Sequence, residues 1–402
     1  MPGLRARDPG GVVLAPVLLL QVAAALTPAP ARFDGATFDP LVRMGIERGA
    51  YPGAALVVGR HDAVLFAKGY GHFTWSPSSP AVDPDSTLYD LASLTKILAT
   101  TSILMVLVDE RRVSLDAPVH VYVPEFSGAG TTGITVRQLL THTSGLRATL
   151  PLYDAPDSAA ALRMVFAAAP IVPPGTRVIY SDLNAILLGE IVRRVAREPL
   201  DAVAAREIFV PLGLRRTVFR PGRALQARIA PTGLWHGHAI GGVVNDQNAA
   251  RLGGVAGHAG LFASAGDVAR FAQLMLREGI LPEGRRLVRV ETLREFIRRA
   301  TPTRGPAGEV RALGWQGVPT GESVSSAGAL FGPNSYGHTG WTGTSLWIDP
   351  DRDLFVVLLT NRAFAPRAKR SFTLLHEVRG SVADAAARAS DGRCPGDPDL
   401  RW

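Results

Sequence analysis

The sequence predicts an α+β fold, an α/β sandwich in which the N- and C-terminal segments form one antiparallel sheet flanked by helices, with a mostly helical insertion between them. Strand-length apolar runs with short turns occur at both ends of the chain, at 52–60 and 63–71 and again at 342–350 and 353–361. Between these hairpins, apolar residues recur at helical spacing. Strands at both ends and helices in the middle favour a single sheet built from the two termini.

The first hairpin joins PGAALVVGR to AVLFAKGYG through a two-residue turn at 61–62, and the second joins TGTSLWIDP to DLFVVLLTN. In DLNAILLGEIVRRVARE the apolar residues are three or four apart, and Ser181 or Asp182 is placed to cap the helix. Other segments have similar periodicity or end at a glycine. The helices predicted in this way cover 38–49, 136–146, 182–198, 266–279 and 369–388.

The chain divides into three parts. Two arginines, the apolar run 12–26 and a small-residue segment ending at Ala31 are typical of a secretory signal, so residues 1–31 are interpreted as a removed signal peptide, with an uncleaved anchor as the alternative. Residues 32–388 are predicted to form one domain, with sheet segments at about 38–92 and 265–388 and the helical insertion at about 93–264. Residues 389–402 are predicted to be a loose tail.

The composition excludes several classes. The one cysteine, Cys394, allows neither an intramolecular disulfide nor a cysteine metal site. The formal charge is +8, yet no dense basic run interleaved with aromatics occurs, so nucleic acid is not an expected partner. The secretory signal predicts a periplasmic or extracellular location, where the anionic cell envelope is the natural neighbour of a basic protein.

Lysine is rare: it occurs only at 68, 96 and 369, and the other 40 of the 43 basic residues are arginine. Lys96 lies in the apolar run DLASLTKILATTSILMVL, three residues after Ser93. On a helix the two side chains share a face, and a buried amine with a depressed pKa could take the serine proton. The alternative, a membrane helix, is disfavoured by the five hydroxyl residues of this run.

Two further segments carry chemistry. Tyr180 precedes the capped helix in YSD, where it could relay a proton or simply pack at the helix entry. The glycines of GHTGWTGTSLW (337–347) permit close backbone approach, and a strand edge there could supply an oxyanion-hole N–H, or the segment could be only a glycine-rich turn.

SLTK, YSD and HTG in this order resemble the motifs of the penicillin-recognising serine enzymes, in particular the group of class C β-lactamases, D-alanyl-D-alanine carboxypeptidases and esterases. LLTHTSGL and GVAGHAGLFASAGDVARF fit the same family, and the resemblance extends over roughly 38–388. It implies the β-lactamase/transpeptidase-like fold and an acyl-enzyme mechanism without metal or other cofactor. The reaction that the resemblance implies is the cleavage of an amide or an ester.

The resemblance also implies the roles of individual residues. Ser93 is the nucleophile, and Lys96 and Tyr180 transfer the proton of its hydroxyl. The backbone N–H groups of Ser93 and Trp341 form the oxyanion hole. The remaining implied substrate-binding residues are Asp182, His338, Thr339, Gly340, Trp341 and His258.

Two positions depart from the family pattern. Asp182 replaces the asparagine of Y-x-N, and an ionised carboxylate cannot donate a hydrogen bond. His338 replaces the lysine of K-T-G, and we expect it to be only partly charged near neutral pH. Both changes favour esterase or peptidase activity over β-lactamase activity.

Each of the remaining candidate histidines has a structural interpretation as well as a functional one. His258 in GVAGHAGLF is predicted either to face the site or to be a structural histidine. His142 is expected to be a hydrogen-bonded structural residue, and the H-x-H pair His236 and His238 to lie in an ordinary loop without metal.

The function predicted is therefore an exported serine hydrolase acting on a small-molecule or peptide substrate, a muropeptide or related ester among the candidates. A non-catalytic binding protein for cell-wall peptides or β-lactams and a metal-dependent hydrolase are the alternatives. The sequence does not determine the natural substrate, the leaving group, cleavage of the signal or the oligomeric state.

Overall fold

The structure is a computed structural model that describes residue 3 and residues 33–235, 238–301, 309–319, 325–364 and 368–392. Apart from residue 3, the predicted signal peptide lies outside the described residues. His236, Cys394 and the tail from residue 393 also lie outside them.

A six-stranded sheet in the order β2-β1-β11-β10-β9-β8 forms the centre of the fold, and its neighbouring strands pair antiparallel. Its strands come from both ends of the chain, as predicted. Val57 of β1 pairs with Ala67 on one side and with Val357 of β11 on the other. The strands of the described chain are β1 (Gly53–Gly59), β2 (Val64–Gly71), β3 (Tyr89–Asp90), β4 (Val218–Phe219), β5 (Gly233–Trp235), β6 (His238–Ile240), β7 (Leu261–Ala263), β8 (Gln316–Gly317), β9 (Tyr336–Thr339), β10 (Ser345–Asp349) and β11 (Leu354–Thr360).

Both faces of the central strand β1 are buried, so its sequence is a continuous apolar run. Side chains alternate between two cores because successive strand residues point to opposite faces. Leu56 packs in the smaller core, which includes residues of the first and last helices. Val57 packs in the larger core, which joins the sheet to the helical region.

The helices of the described chain are α1 (Gly35–Glu47), α2 (Ser102–Asp109), α3 (Val136–Leu140), α4 (Ser158–Phe166), α5 (Asp182–Ala196), α6 (Leu200–Ala204), α7 (Gln247–Arg251), α8 (Ala265–Leu276), α9 (Val290–Ile297) and α10 (Ala368–Ser390). Of the two predicted caps for α5, Ser181 holds the position, and its side chain accepts from the Asn184 N–H. α3 is shorter than predicted, because it ends after Leu140 and Thr141 caps it.

The apolar run around Lys96 departs from a regular helix. It begins with a 3-10 turn at Ala92–Leu94, continues as a π-helical stretch over Lys96–Thr101 and becomes α-helical at α2. Such wide turns are frequent at functional sites. The window Ala92–Asp109 is apolar enough to span a membrane, but 83% of it is buried inside the protein, as expected of a core helix.

Small sheets within the helical region were not predicted. β3, β7 and β4 form one of them, and β5 and β6 form another. Each of these strands has only two or three residues, too few to show an alternating pattern. The first small sheet leads directly into the turn that carries Ser93.

Candidate active site

The turn that carries Ser93 is shaped by Asp90, the last residue of β3. One carboxylate oxygen of Asp90 accepts from the Ala92 N–H at 2.9 Å, and the other accepts from the Asn245 N–H at 2.7 Å. Burial raises the pKa of Asp90 to about 6. Ala92 has a φ of +45°, a left-handed conformation that is rare for residues other than glycine. The backbone directly before Ser93 is therefore strained and held in place by a buried carboxyl.

Lys96 lies beneath Ser93 and is 3% exposed. Its Nζ donates to Ser93 Oγ at 2.9 Å, to Asp182 Oδ1 at 2.8 Å and to the His258 carbonyl at 3.2 Å. The predicted serine–lysine contact is present, since three residues on one turn bring the two side chains together. Asp182, at the first residue of α5, adds a carboxylate to the pair.

The protonation state of Lys96 is opposite to the one expected. Burial by itself lowers the pKa of the amine, but the nearby Asp182 carboxylate raises it above its ordinary value. The expected depressed pKa is wrong because a burial argument from the local sequence did not include Asp182. In the resting protein Lys96 is an ammonium ion paired with that residue.

Tyr180 packs among four polar groups. Lys96 Nζ lies 4.9 Å from the centre of its ring, and the Arg311 guanidinium carbon lies 5.0 Å from it. The ring centres of His142 and His338 are 4.7 and 5.8 Å away. Its hydroxyl is buried and has no hydrogen-bond partner in the described part of the chain. The phenol is therefore close to Lys96 and available to a substrate group.

His142 supports the entry to α5. Its Nδ1 accepts from the Ser181 N–H at 3.1 Å and lies 3.2 Å from the Asn184 amide nitrogen. Burial holds the pKa of His142 well below its ordinary value, so the ring is neutral. The predicted hydrogen-bonded role of His142 is confirmed, and its ring also fixes Tyr180 from one side.

His338 on β9 is buried. Its Nδ1 lies 2.8 Å from the Thr339 carbonyl, and because a carbonyl can only accept, Nδ1 carries the proton. Nε2 is then an acceptor, and it has no partner among the described residues. Burial, with the charges of Arg311 and Lys96, holds the pKa of His338 well below its ordinary value. The expectation of a partly charged histidine is wrong, because burial was not visible in the sequence.

The turn after β9 is docked on the segment before Ser93. Thr342 Oγ1 donates to the Asp90 carbonyl at 2.6 Å, and Thr344 Oγ1 donates to the Leu91 carbonyl at 2.9 Å. A Cβ on Gly340 would lie 2.5 Å from the Leu91 carbonyl oxygen, so only glycine fits there. Trp341 is 62% exposed at the rim. The glycine-rich segment thus fastens the end of the large sheet to the serine turn, and sequence reasoning missed the two threonine contacts.

His258 reaches the site through its backbone. Its carbonyl accepts from Lys96, while its Nε2 lies 3.0 Å from Asp246 Oδ1. The side chain is 1% exposed, so it is Asp246, not His258, that borders the open space. Burial opposes ionisation of Asp246, but the hydrogen bond with the His258 ring lowers the pKa of Asp246 to about 2.

Asp182, Asp246 and His258 bring metal-ligand atoms within 4.8 Å of one another. The Lys96 ammonium is 2.8 Å from one oxygen of this cluster. The two carboxylates therefore have an internal cation, which accounts for their proximity.

A cavity of about 430 Å³ opens above Ser93. It brings together Ser93, Tyr180, Asp182, His338, Thr339, Gly340 and Trp341 from the prediction, and adds Ala92, Asn245, Asp246, Ala259, Glu309, Arg311, Gln316 and Phe372. A larger cleft of about 800 Å³ beside α8 contains none of the predicted site residues. Asn245 and Asp246 lie shortly before the GVAGHAGLF segment. Their position near this segment was the only indication in the sequence that they could belong to the site. No signal in the sequence marked Arg311.

The family model for beta-lactamase matches residues 38–379. The chain belongs to the beta-lactamase family. It is a β-lactamase-related serine hydrolase, and the predicted resemblance and fold are confirmed. A relative in Escherichia coli K12, described as a "putative D-alanyl-D-alanine carboxypeptidase", is 32% identical over 356 residues, which cover 79% of this chain and 80% of the relative. A relative of the same description in Salmonella agona is 31% identical over 367 residues, covering 82% of this chain and 83% of the relative.

Two solved structures have a similar fold. EstCE1, a hydrolase with promiscuous acyltransferase activity, superposes with a TM-score of 0.69 at 22% identity, over 88% of this chain and 98% of EstCE1. A penicillin-binding protein homologue from Caulobacter crescentus superposes with a TM-score of 0.70 at 22% identity, over 90% of this chain and 99% of the homologue. At this identity the two structures establish the fold alone.

Proposed function

We propose that this β-lactamase-family protein is an exported serine hydrolase that cleaves an amide or ester through an acyl-enzyme on Ser93, with a peptidoglycan-derived peptide or a related ester as substrate. The observation that carries the proposal is the 2.9 Å contact between Ser93 Oγ and Lys96 Nζ at the floor of the cavity, with the Tyr180 ring against the same ammonium. The names of the two enterobacterial relatives support the peptide class.

The first step needs the neutral amine of Lys96. After loss of its extra proton, Lys96 takes the Ser93 hydroxyl proton as Oγ bonds to the substrate carbonyl carbon. The electron pair of the carbonyl moves to its oxygen, which the N–H groups of Ser93 and Trp341 stabilise in this proposal. The docking of the Gly340 turn on the Leu91 carbonyl brings these two backbone segments together.

The second step expels the leaving group. Tyr180 gives its hydroxyl proton to the departing nitrogen or oxygen and regains one from Lys96, leaving an ester on Ser93. Water then attacks this ester and loses its proton to the same pair, and Ser93 Oγ recovers a proton as it leaves. Because Lys96 rests as an ammonium, the competent form increases as pH rises toward its raised pKa.

Covalent labelling tests the proposal. The purified protein is incubated with a fluorophosphonate and, separately, with a penicillin, and the modified residue is located by peptide mass spectrometry. We expect one label on Ser93, absent from Ser93→Ala. A label elsewhere, or hydrolysis unchanged in Ser93→Ala, would contradict the proposal. A penicillin adduct that forms on Ser93 without turnover of any ester or peptide would support the binding-protein alternative.

The export half of the proposal rests on the N-terminal pattern of residues 1–31. Cell fractionation of the full-length chain, with mass spectrometry of the mature N-terminus, tests it separately. Recovery of the intact chain in the cytoplasm would contradict export and would leave the chemistry at Ser93 unaffected.

A further inference from the structure

Arg379 on α10 is a buried cation that the proposed mechanism does not use. It is 2% exposed, and its Nη2 donates to the Thr344 carbonyl at 2.7 Å and to the Gly340 carbonyl at 3.3 Å. Among the described residues it has no carboxylate partner, and its Nε is buried without any partner. Burial and the nearby Arg362 charge lower the pKa of Arg379 to about 9, so the guanidinium is still charged at neutral pH. A buried charge without a counterion is costly, so the two carbonyls are the contacts that retain it.

These carbonyls belong to the turn that follows β9. The Gly340 oxygen also accepts from the Gly343 N–H at 3.0 Å, and the Thr344 oxygen also accepts from the Gly340 N–H at 2.8 Å. Arg379 therefore joins a small set of hydrogen bonds that fix the plane of one peptide, the one between Gly340 and Trp341.

That peptide carries a second polar group, the N–H of Trp341. The carbonyl and the N–H of a trans peptide point in opposite directions from one planar unit. Since the Gly340 oxygen points to the guanidinium, the Trp341 N–H points away from it. This N–H has no acceptor in the described part of the chain. Gly340 and Trp341 line the cavity above Ser93, whereas Arg379 does not, so the free N–H is available on the cavity side.

The charge of Arg379 also makes this N–H a stronger donor. A cation bound to the carbonyl oxygen draws electrons from the nitrogen across the conjugated peptide, and the N–H proton becomes more positive. Hydrogen bonds that are linked in this way polarise one another, above all where water is excluded. A negative charge that develops on a substrate oxygen is therefore stabilised by the guanidinium at the far end of the peptide.

We propose that Arg379 is the positioning residue of the oxyanion hole: through the Gly340 carbonyl it directs and polarises the Trp341 N–H toward the substrate carbonyl oxygen. The inference rests on the proposed function, since an oxyanion forms only if Ser93 attacks a carbonyl. Arg379 is not among the residues that line the cavity, so it acts through this one peptide and not by contact with the substrate.

Arg362, two residues after the end of β11, offers a matched control on the same turn. It is 3% exposed, and its Nη1 donates to the Trp341 carbonyl at 3.0 Å. That carbonyl belongs to the next peptide, whose N–H is that of Thr342. Loss of the Arg362 guanidinium therefore removes a buried cation and a carbonyl contact from this turn, but it leaves the contact between Arg379 and Gly340 in place.

Two aryl esters that differ in one atom measure the oxyanion hole directly. Hydrolysis of an uncharged aryl ester is compared with that of its thionoester, in which the carbonyl oxygen is replaced by sulfur, a weak acceptor. Arg379→Met removes the charge and keeps most of the volume. We expect kcat for the oxygen ester to fall about tenfold to a hundredfold with little change in KM, less than for loss of a whole oxyanion-hole donor. The thionoester should lose much less, so the oxygen-to-sulfur ratio of kcat/KM should narrow.

Arg362→Gln should keep the parent ratio, whatever it does to the free energy of unfolding. Should Arg379→Met fail to fold, Arg379→Gln, which can donate hydrogen bonds but has no charge, should narrow the ratio as well. An unchanged ratio in either folded Arg379 variant, or equal narrowing in Arg362→Gln, would overturn the inference. Failure of the proposed function has a different signature, because the parent protein would then hydrolyse neither ester and Ser93 would not react with a fluorophosphonate.

Discussion

Lys96 Nζ and Asp182 Oδ1 are 2.8 Å apart and 86 residues apart in the chain. This ion pair sets the resting state of the site, because the Asp182 carboxylate raises the pKa of the buried amine, which burial alone would lower. Asp182, which stands where the family motif has asparagine, therefore affects the protonation of Lys96 directly, and its effect on substrate binding is secondary. It predicts an enzyme whose activity increases toward alkaline pH.

Replacing Asp182 by asparagine should move the pH profile to lower pH. The amide removes the negative charge that raises the pKa of Lys96, so the neutral amine becomes populated at a lower pH. The rising limb of kcat/KM against pH, measured with an uncharged ester, should shift downward in Asp182→Asn. The exposed Asp154→Asn is the matched control and should keep the parent profile. An unshifted limb in Asp182→Asn would contradict the role given to this pair.

Lys96→Arg should be nearly inactive while remaining folded. Arginine retains the charge that pairs with Asp182 but does not release its proton at accessible pH, so the base is lost. We expect kcat/KM to fall by about 10²–10⁴-fold, the range for loss of a general base. Lys68→Arg, at the partly exposed ion pair with Asp39, is the control. Substantial activity in Lys96→Arg, with normal thermal unfolding, would refute the base assignment.

Gly340→Ala should damage both stability and activity. The added methyl would lie 2.5 Å from the Leu91 carbonyl oxygen and 2.2 Å from Thr344 Oγ1, so the turn must move away from the serine segment. Overpacking of this kind costs about 1–3 kcal/mol of unfolding free energy. Urea unfolding and kcat/KM are the measurements, with Gly133→Ala as the control because nothing lies within 4 Å of its added methyl. Equal stability of the two variants would show that the turn is not tightly docked.

Burial of the neutral His338 ring predicts that the free energy of unfolding decreases in acid. The pKa of His338 is held well below 6.5 in the folded protein, so below pH 6.5 the unfolded chain takes up a proton that the folded chain refuses. Stability is therefore present above that pH and decreases as pH falls, by at most about 1.4 kcal/mol per pH unit for one histidine. His338→Gln should show a shallower decrease in urea unfolding between pH 7 and 5. The same slope in parent and variant would mean that His338 is protonated in the folded state.

Several features of the fold could be read directly from the sequence. The hairpin strands β1, β2, β10 and β11 were predictable because each run has strand length and is bounded by turn residues. The short strands such as β3 were not, since two residues carry no periodicity. The 3-10 turn at Ala92–Leu94 and the π-helical stretch at Lys96–Thr101 were not predicted either, since the spacing of residues in this run is compatible with a regular helix.

The sequence by itself determined that Ser93 and Lys96 meet, because three residues on one helical turn place them on the same side whatever surrounds them. Only the tertiary structure determined the protonation state of Lys96 and the charge of the groups that line the cavity. Asp182 raises the pKa of Lys96, burial neutralises His338, and Arg311 brings a cation from a segment with no motif. Electrostatic effects depend on distance in space and on exclusion of water, and neither is encoded in residue spacing.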